Sequence, residues 1–84
     1  MESRVALIGI IIEDSCSAAK VNDVLHEYNS YIIGRMGLPY RERNISIISV
    51  VVDAPQNIIS AISGKIGSLP NVSAKTSYSK TLAV

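Results

Sequence analysis

The most constraining feature of this sequence is a charged, turn-rich connector that joins two apolar, strand-like runs in the middle of the chain. The apolar runs are residues 31–36 and 45–52, and glycine, proline and arginine are concentrated between them. Glycine and proline interrupt regular structure, and two β-prone runs around such a segment are typical of a β-hairpin. We therefore predict a hairpin at the centre of the fold, with Gly37-Leu38-Pro39 opening its connector.

A strand and a helix are predicted before this hairpin. Residues 5–12 are short and rich in β-branched side chains, which favours a strand. Asp14, Ser15 or Ser17 can then cap a helix by accepting a hydrogen bond from its free N–H groups. The apolar side chains of that helix recur at three- and four-residue spacing, which predicts one face against a sheet. They are Ala18, Val21, Leu25 and Tyr28.

A second helix and a final strand are predicted after the hairpin. Pro55 suits the first turn of a helix, where a missing N–H costs little. Gly67 can supply a left-handed residue after the helix, Pro70 prevents its continuation, and residues 72–78 form the last strand. The apolar stripe of this helix is Ile58, Ile59, Ile62 and Ile66. The resulting order, β-α-β-β-α-β, predicts an α+β ferredoxin-like sandwich with a four-stranded antiparallel sheet and two helices on one face.

Both faces of the predicted sheet are apolar. Side chains alternate between the faces of a strand, and a face open to water normally carries polar residues at every second position. Here only Gly9, Ser46 and Ser49 interrupt the apolar pattern of the two central strands. Two helices cannot cover both faces, so we predict that a second copy of the chain covers one of them, in a homo-oligomer that is a dimer or a tetramer. The alternative is a monomer that tolerates an exposed apolar face. The residues predicted for the interface are Ile8, Ile10, Ile12, Ile48, Val50 and Val52.

Composition limits the classes of partner. The chain has 8 basic and 7 acidic residues and a net charge of +1, so no general field attracts nucleic acid or an anionic membrane. The longest apolar run is far shorter than the ~20 residues that span a bilayer, and the N-terminus lacks a signal-peptide pattern. A lone Cys16 cannot form an intramolecular disulfide, which agrees with a reducing compartment. We expect a cytoplasmic protein with no direct nucleic-acid partner and no membrane partner.

Three strings along the chain resemble a known family. Residues 33–43, 45–50 and 64–72 are similar to the iron-only hydrogenase system regulators, which are short single-domain proteins of the ACT-like group. Their fold is also similar to the C-terminal domain of nickel-responsive regulators. The resemblance implies a single ACT-like regulatory domain over residues 1–84 that senses a small molecule or acts in assembly during hydrogenase maturation. Nickel-responsive regulators carry several His ligands, a Cys and a DNA-binding segment, whereas this chain has only His26. Nickel sensing by that mode is therefore not expected.

The charged connector is the first candidate ligand-binding site. Arg35, Tyr40, Arg41 and Arg43 lie close together in the sequence, and guanidinium groups beside backbone turns can bind a carboxylate or a phosphate. Two alternatives remain open. The same residues can form a salt bridge between subunits, or they can be a solvated hairpin tip in which Glu42 neutralises its neighbours.

The first turn is the second candidate site. Asp14, Ser15 and Cys16 lie where the first strand leads into the first helix, and the resemblance to ACT-like domains implies effector binding near such turns at subunit interfaces. Free N–H groups at a helix start attract anions and make a nearby thiol more reactive. The alternative is simple helix capping with a half-buried thiol.

Metal and catalytic sites are not expected. Asp23, His26 and Glu27 share one side of the first helix, but a metal site needs three or four ligands with an ordered outer shell. We predict no metal and no cofactor. No paired acid and base, and no nucleophile with a base, can be assembled from the sequence, so we predict no enzyme and no catalytic residue.

The leading hypothesis is a non-enzymatic, oligomeric regulatory module with an effector site at a subunit junction. The rival is a scaffold or accessory factor that binds a separate protein partner and no metabolite. Control of transcription would require a separate DNA-binding partner, because the chain itself lacks such a segment. A ligand screen separates the two hypotheses, since a ligand that binds the folded state stabilises it.

Overall fold

The structure is a computed structural model that describes residues 2–80, so the predicted domain bounds of 1–84 extend past the described residues. Four antiparallel strands form one sheet in the order β2-β3-β1-β4, with two helices between them in the sequence. The chain order and sheet order confirm the predicted ferredoxin-like α+β fold. The elements are β1 (Arg4–Ile12), α1 (Ser15–Glu27), β2 (Ile32–Tyr40), β3 (Ile45–Ala54), α2 (Gln56–Gly67) and β4 (Val72–Tyr78), with short 3-10 turns at Asn29–Tyr31 and Arg41–Arg43.

The hydrophobic core lies between the sheet and the helices. Along β1 every second side chain is buried, because alternate residues of a strand point to the same face. β-Branched side chains from β1 and β3 pack there against the apolar stripes of α1 and α2. The core residues are Ala6, Ile8, Ile10, Ile12, Val21, Leu25, Ile48, Val50, Val52, Ala54, Ile59, Ile62 and Ile66.

The predicted interface residues are part of this core, so that prediction is wrong. Their exposed fractions run from 0% to 6%, which leaves no surface for a second copy. The reason is that both faces of β1 and β3 are apolar, and alternation alone does not tell which face the helices cover. The buried residues in question are Ile8, Ile10, Ile12, Ile48, Val50 and Val52. The helices cover the face that carries them, and the opposite face is the open one.

β2 is longer and more exposed than predicted. It continues through Gly37 and Pro39 to Tyr40, and every residue after Ile32 is exposed. Proline is compatible with this position because β2 is an edge strand, where one side of the backbone needs no partner. A register shift between Ile32 and Gly34 marks a bulge in its pairing with β3.

The residues that begin and end the helices agree with the prediction except at the C-terminal end of α2. Asp14 is the N-cap of α1, and its side chain accepts a hydrogen bond from the Cys16 backbone N–H. Pro55 is the N-cap of α2. Gly67 is the last helical residue and does not adopt a left-handed conformation; the left-handed residue before β4 is Asn71, with φ 58°. Asparagine tolerates this region better than most residues, which allows the left-handed residue to lie four positions later than predicted. Within residues 2–80, neither helix has the length and apolar character needed to cross a bilayer.

Candidate functional site

A small cleft lies between the start of α1 and the end of the β2–β3 hairpin. Its volume is about 140 Å³, which is below the roughly 300–1,000 Å³ of typical ligand pockets and leaves room for only a very small molecule or one group of a larger one. The lining combines apolar, hydroxyl, amide and charged side chains. They are Ile12, Asp14, Ser15, Pro39, Arg41, Asn44, Ile45 and Ser46.

Strand pairing builds the floor of the cleft. Ile12 at the end of β1 pairs with Ser46 of β3, and Ser46 pairs in turn with Pro39 of β2. The three residues therefore form one row across the sheet, on the side that the helices cover. Ile12 is buried and Ser46 is half-buried. This row gives the cleft an apolar base with one hydroxyl group.

A left-handed residue brings the hairpin end over this floor. Asn44 has φ 55° and follows the 3-10 turn Arg41–Arg43. Its backbone N–H donates a 3.1 Å hydrogen bond to the Arg41 carbonyl, which closes the turn. Asparagine is one of the few residues that adopts this conformation readily, so the local sequence favours the turn. The result is that Arg41 and the start of α1 line the same cleft.

Asp14 gives the cleft a fixed negative charge. The Cys16 backbone N–H donates a 2.9 Å hydrogen bond to Asp14 Oδ1, and the Asn71 side-chain amide donates a 3.4 Å bond to Oδ2. These two bonds, with the backbone bond the larger cause, hold the pKa of Asp14 below its usual value of 3.8. The Ser17 N–H is bonded to the Asp14 carbonyl. Capping therefore occupies the Cys16 and Ser17 N–H groups at the helix start, and the charged groups of the lining are the Asp14 carboxylate and the Arg41 guanidinium.

The structure brings together three of the seven residues that the sequence singled out for ligand binding. Asp14, Ser15 and Arg41 line the same cleft, so the first turn and the charged connector contribute to one site. Cys16 is exposed and contributes its backbone N–H to the cap. Arg43 lies in the exposed 3-10 turn and is not part of the lining.

Arg35 and Tyr40 have other partners. The Arg35 guanidinium donates a 2.7 Å hydrogen bond to Asn22 Oδ1 and so joins β2 to α1. The Tyr40 hydroxyl donates a 3.4 Å bond to Glu42. Neither residue lines the cleft.

Sequence reasoning missed five lining residues: Ile12, Pro39, Asn44, Ile45 and Ser46. Four of them lie in β1, β2 or β3 and reach the cleft only through the strand register, which the sequence does not specify. Asn44 carried a usable signal, because asparagine at the end of a charged connector is typical of a left-handed turn residue.

The open face of the sheet is the second notable surface. It carries exposed large apolar side chains from β1 and β2 and half-buried ones from β3. They are Val5, Leu7, Ile11, Met36, Leu38, Tyr40, Ile45, Ile47 and Val51. On β4 this face is polar, with Ser73, Lys75 and Ser77. Ile45 belongs both to the open face, by alternation along β3, and to the cleft lining. The two surfaces therefore meet at Ile45.

Comparison with known proteins identifies relatives. A family model described as "TM1266-like: Iron-only hydrogenase system regulator, putative" matches residues 4–76. The structure of the uncharacterized protein TM1266 from Thermotoga maritima is similar, with a TM-score of 0.90 and 34% identity over 94% of this chain and 100% of that chain. No curated protein matches the chain.

Two further solved structures share the fold at low identity. A formyltetrahydrofolate deformylase from Pseudomonas putida KT2440 has a TM-score of 0.63 and 10% identity, over 87% of this chain and 28% of that chain. An unknown protein from Galdieria sulphuraria has a TM-score of 0.65 and 13% identity, over 98% of this chain and 48% of that chain. These two show the fold alone. The family match and the Thermotoga maritima structure together cover nearly the whole chain, and the chain therefore belongs to the TM1266-like family of iron-only hydrogenase system regulators.

Proposed function

We propose that this chain is a non-enzymatic regulatory module of an iron-only hydrogenase system, that it self-associates, and that it senses a small polar molecule in the cleft. The family description supports the regulatory role. The observation that carries the sensing role is the placement of Asp14 and Arg41, which are distant in the sequence, on one small cleft.

The lining indicates the chemical class of the ligand. The Arg41 guanidinium suits a carboxylate or another anionic group, because its N–H donors form a planar fork. The Asp14 carboxylate suits a cation or a hydrogen-bond donor. The hydroxyl and amide groups of Ser15, Asn44 and Ser46 can orient a polar ligand over an apolar floor. We therefore expect a small molecule that carries both an anionic group and a cationic or donor group.

The chemistry of the cleft favours binding over catalysis. Hydrogen bonds from Cys16 and Asn71 stabilise the ionised form of Asp14, and a guanidinium carries hydrogen-bond donors and no acceptor for a proton. The two charged groups therefore lack the matched acid and base that proton transfer requires. This supports a module that recognises a molecule and does not transform it.

Ile45 offers a physical route from ligand binding to self-association. The residue lines the cleft and also lies on the open face. A ligand that fixes its side chain in one position changes the surface that a second copy meets. A ligand shifts the equilibrium between the monomer and the oligomer only if its affinity for the two states differs. The coupling is reciprocal, and self-association therefore changes the ligand affinity by the same factor.

A ligand screen with matched variants tests the sensing role. Thermal unfolding is measured with amino acids, nucleotides and small carboxylates, and a ligand at a hundred times its dissociation constant stabilises the folded state by about 2.7 kcal/mol. We expect Arg41→Ala and Asp14→Asn to abolish the response. Arg43→Ala is the control, because Arg43 lies in the same turn but not in the cleft lining. Stabilisation that survives Arg41→Ala and Asp14→Asn would contradict binding in the cleft.

A protein-binding scaffold without a metabolite ligand is the second candidate function. The observation that favours it is the exposure of β2, where Met36 is 70% exposed and Ile33 63% exposed. Large apolar side chains at such exposure are typical of surfaces that contact another protein. A scaffold predicts no stabilising small molecule, together with loss of partner binding when Ile33 or Met36 is replaced by a polar residue.

A further inference from the structure

Gly9 lies at the centre of the open face, and nothing in the described chain requires a glycine there. Its φ is not positive. A Cβ built on it would lie no closer than 4.0 Å to another heavy atom, the Lys75 carbonyl oxygen, which is ordinary contact. Glycine in a strand interior is less favourable than alanine, because it loses more conformational entropy on folding. A glycine at such a position is typical of a site where a neighbour approaches the backbone closely.

Gly9 and its neighbour across the sheet form a groove. Gly9 pairs with Ser49 of β3, so the centre of this row of the open face, between Met36 of β2 and Lys75 of β4, has one missing and one short side chain. Larger apolar pairs lie on both sides of this row. Each is two residues away along the strands, which is a distance of about 6.8 Å. The border pairs are Leu7 with Val51, and Ile11 with Ile47. We call the row of Gly9 and Ser49 the groove, and the pair of Ile11 and Ile47 the ridge.

The polarity of the strands limits how a second copy can fit. The apolar part of the open face covers β2, β3 and β1, whereas β4 presents Ser73, Lys75 and Ser77. A two-fold axis that is parallel to the sheet and perpendicular to the strands places each strand over the same strand of the second copy. The apolar strands β1, β2 and β3 then pack on apolar strands, and polar β4 packs on polar β4. An axis along the strands would exchange the edges and place polar β4 on apolar β2.

We propose that two copies pack face to face, with the ridge of each copy in the groove of the other. This inference rests on the self-association in the proposed function and specifies its geometry. The two-fold axis then lies between the row of Gly9 and the row of Ile11, and both insertions occur at once, as an isologous interface requires. The same axis places Leu7 and Val51 near Ile45 of the second copy, beside the cleft.

The size of the face is adequate for this packing. Four strands at about 4.8 Å and eight residues at about 3.4 Å give a projected area of roughly 500 Å². The accessible area of a surface of side chains exceeds its projection, and a standard interface buries about 800 Å² per partner. Insertion of the ridge of each copy into the groove of the other adds contact area beyond the projection and brings the buried area closer to this value.

Filling the groove tests the proposal. We expect the wild-type chain to be dimeric in sedimentation equilibrium at micromolar concentration, and Gly9→Val to raise the dimer dissociation constant at least tenfold. The matched control is Gly37→Val, because Gly37 pairs with core residue Ile48, lies on the opposite side of the sheet, and has no atom within 4 Å of a built Cβ. Far-UV circular dichroism confirms that both variants fold.

Each outcome separates the packing from the function on which it rests. A wild-type dimer that Gly9→Val leaves unchanged would overturn the groove and leave self-association intact. A wild-type chain that is monomeric at high micromolar concentration would overturn both the packing and the self-association. The open face would then be expected to bind a different protein. Loss of the dimer in Gly9→Val and not in Gly37→Val supports the packing.

Disulfide trapping tests the register directly. In a Cys16→Ser background, chains with Ser49→Cys are mixed with chains that carry either Ile47→Cys or Leu7→Cys. The proposed axis places Ser49 against Ile47 of the second copy and away from Leu7. We therefore expect a mixed disulfide with Ile47→Cys at a several-fold higher yield. Equal yields, or a higher yield with Leu7→Cys, would overturn the proposed axis.

Discussion

The Ser17 hydroxyl donates a 2.7 Å hydrogen bond to the carbonyl of Pro70 and so ties the first turn of α1 to the turn before β4. Ser17 is 2% exposed, and within residues 2–80 it is the buried residue with a polar side chain. The Glu13 N–H also bonds to the Asn71 carbonyl at 2.9 Å. These contacts fix the α1 start, one wall of the cleft, relative to the end of the sheet.

Ser17→Ala is expected to destabilise the fold. The substitution removes the hydrogen bond from the Ser17 hydroxyl to the Pro70 carbonyl, and the loss of such a bond costs about 0.5–1.5 kcal/mol. Urea unfolding measures the change in the free energy of unfolding. Ser73→Ala on exposed β4 is the control and should change this free energy by less than about 0.5 kcal/mol. Equal effects of the two substitutions would show that the Ser17 bond contributes nothing.

A pair of neighbouring substitutions on β1 tests which face of the sheet is buried. Ile8 is 0% exposed and Leu7 is 45% exposed. We expect Ile8→Ala to reduce the free energy of unfolding by about 2–5 kcal/mol, because it leaves a cavity in the core. Leu7→Ala should cost the monomer far less and should act mainly on self-association. Unfolding is measured at several protein concentrations, which separates the two effects. If Leu7→Ala lowers the free energy of unfolding of the monomer more than Ile8→Ala does, the buried and open faces of the sheet are assigned the wrong way round.

Periodicity in the sequence was sufficient to predict the element order and the sheet. The runs at residues 5–12, 45–52 and 72–78 became β1, β3 and β4 with shifts of at most two residues at an end. The choice of buried face was not available from the sequence, because Ile11 and Ile12 are equally apolar and only packing under the helices separates them. The length of β2 was also underestimated, since Gly37 and Pro39 are breakers in isolation but are compatible with an edge strand.

The candidate site was predictable in part. Asp14 and Arg41 were both predicted as ligand-binding residues, Asp14 from its place at a helix start and Arg41 from its guanidinium beside a turn, and both line the cleft. That they share one cleft depends on the pairing of Ile12 with Ser46, which is a property of the assembled sheet. Arg35 was indistinguishable from Arg41 in sequence, yet the register places it beside Asn22.

Substitutions at Asn44 separate its role in the turn from its role in the cleft. Asn44 is left-handed, with φ 55°, and a β-branched residue in this region costs about 1–2 kcal/mol. We expect Asn44→Val to lower the free energy of unfolding by that amount. Asn44→Gly keeps the backbone conformation and removes the side-chain amide from the cleft, so it should retain stability and weaken ligand binding. A stable Asn44→Val variant would contradict the need for a left-handed residue here.

Acid stability tests the charge of the Asp14 cap. Hydrogen bonds from the Cys16 N–H and then from Asn71 lower the pKa of Asp14 in the folded chain below 3.8. A carboxyl group with a lowered folded pKa stabilises the fold above its unfolded pKa, and this contribution is lost as the pH falls through the folded value. The stabilisation is therefore fully present at neutral pH and declines below about pH 4.

Asp14→Asn isolates this effect, because asparagine is also a favourable N-cap but does not titrate. We expect the melting temperature of the wild-type chain to fall more steeply than that of Asp14→Asn below about pH 4, and the two curves to run parallel above about pH 5. Asp23→Asn in the interior of α1 is the control for removing a carboxylate from the same helix. Curves that stay parallel down to the lowest pH would show that the Cys16 and Asn71 hydrogen bonds do not favour the ionised form of Asp14. Asp14 would still be ionised at neutral pH, as an ordinary carboxyl group is, and its two hydrogen bonds would then cap the helix without favouring its charged form.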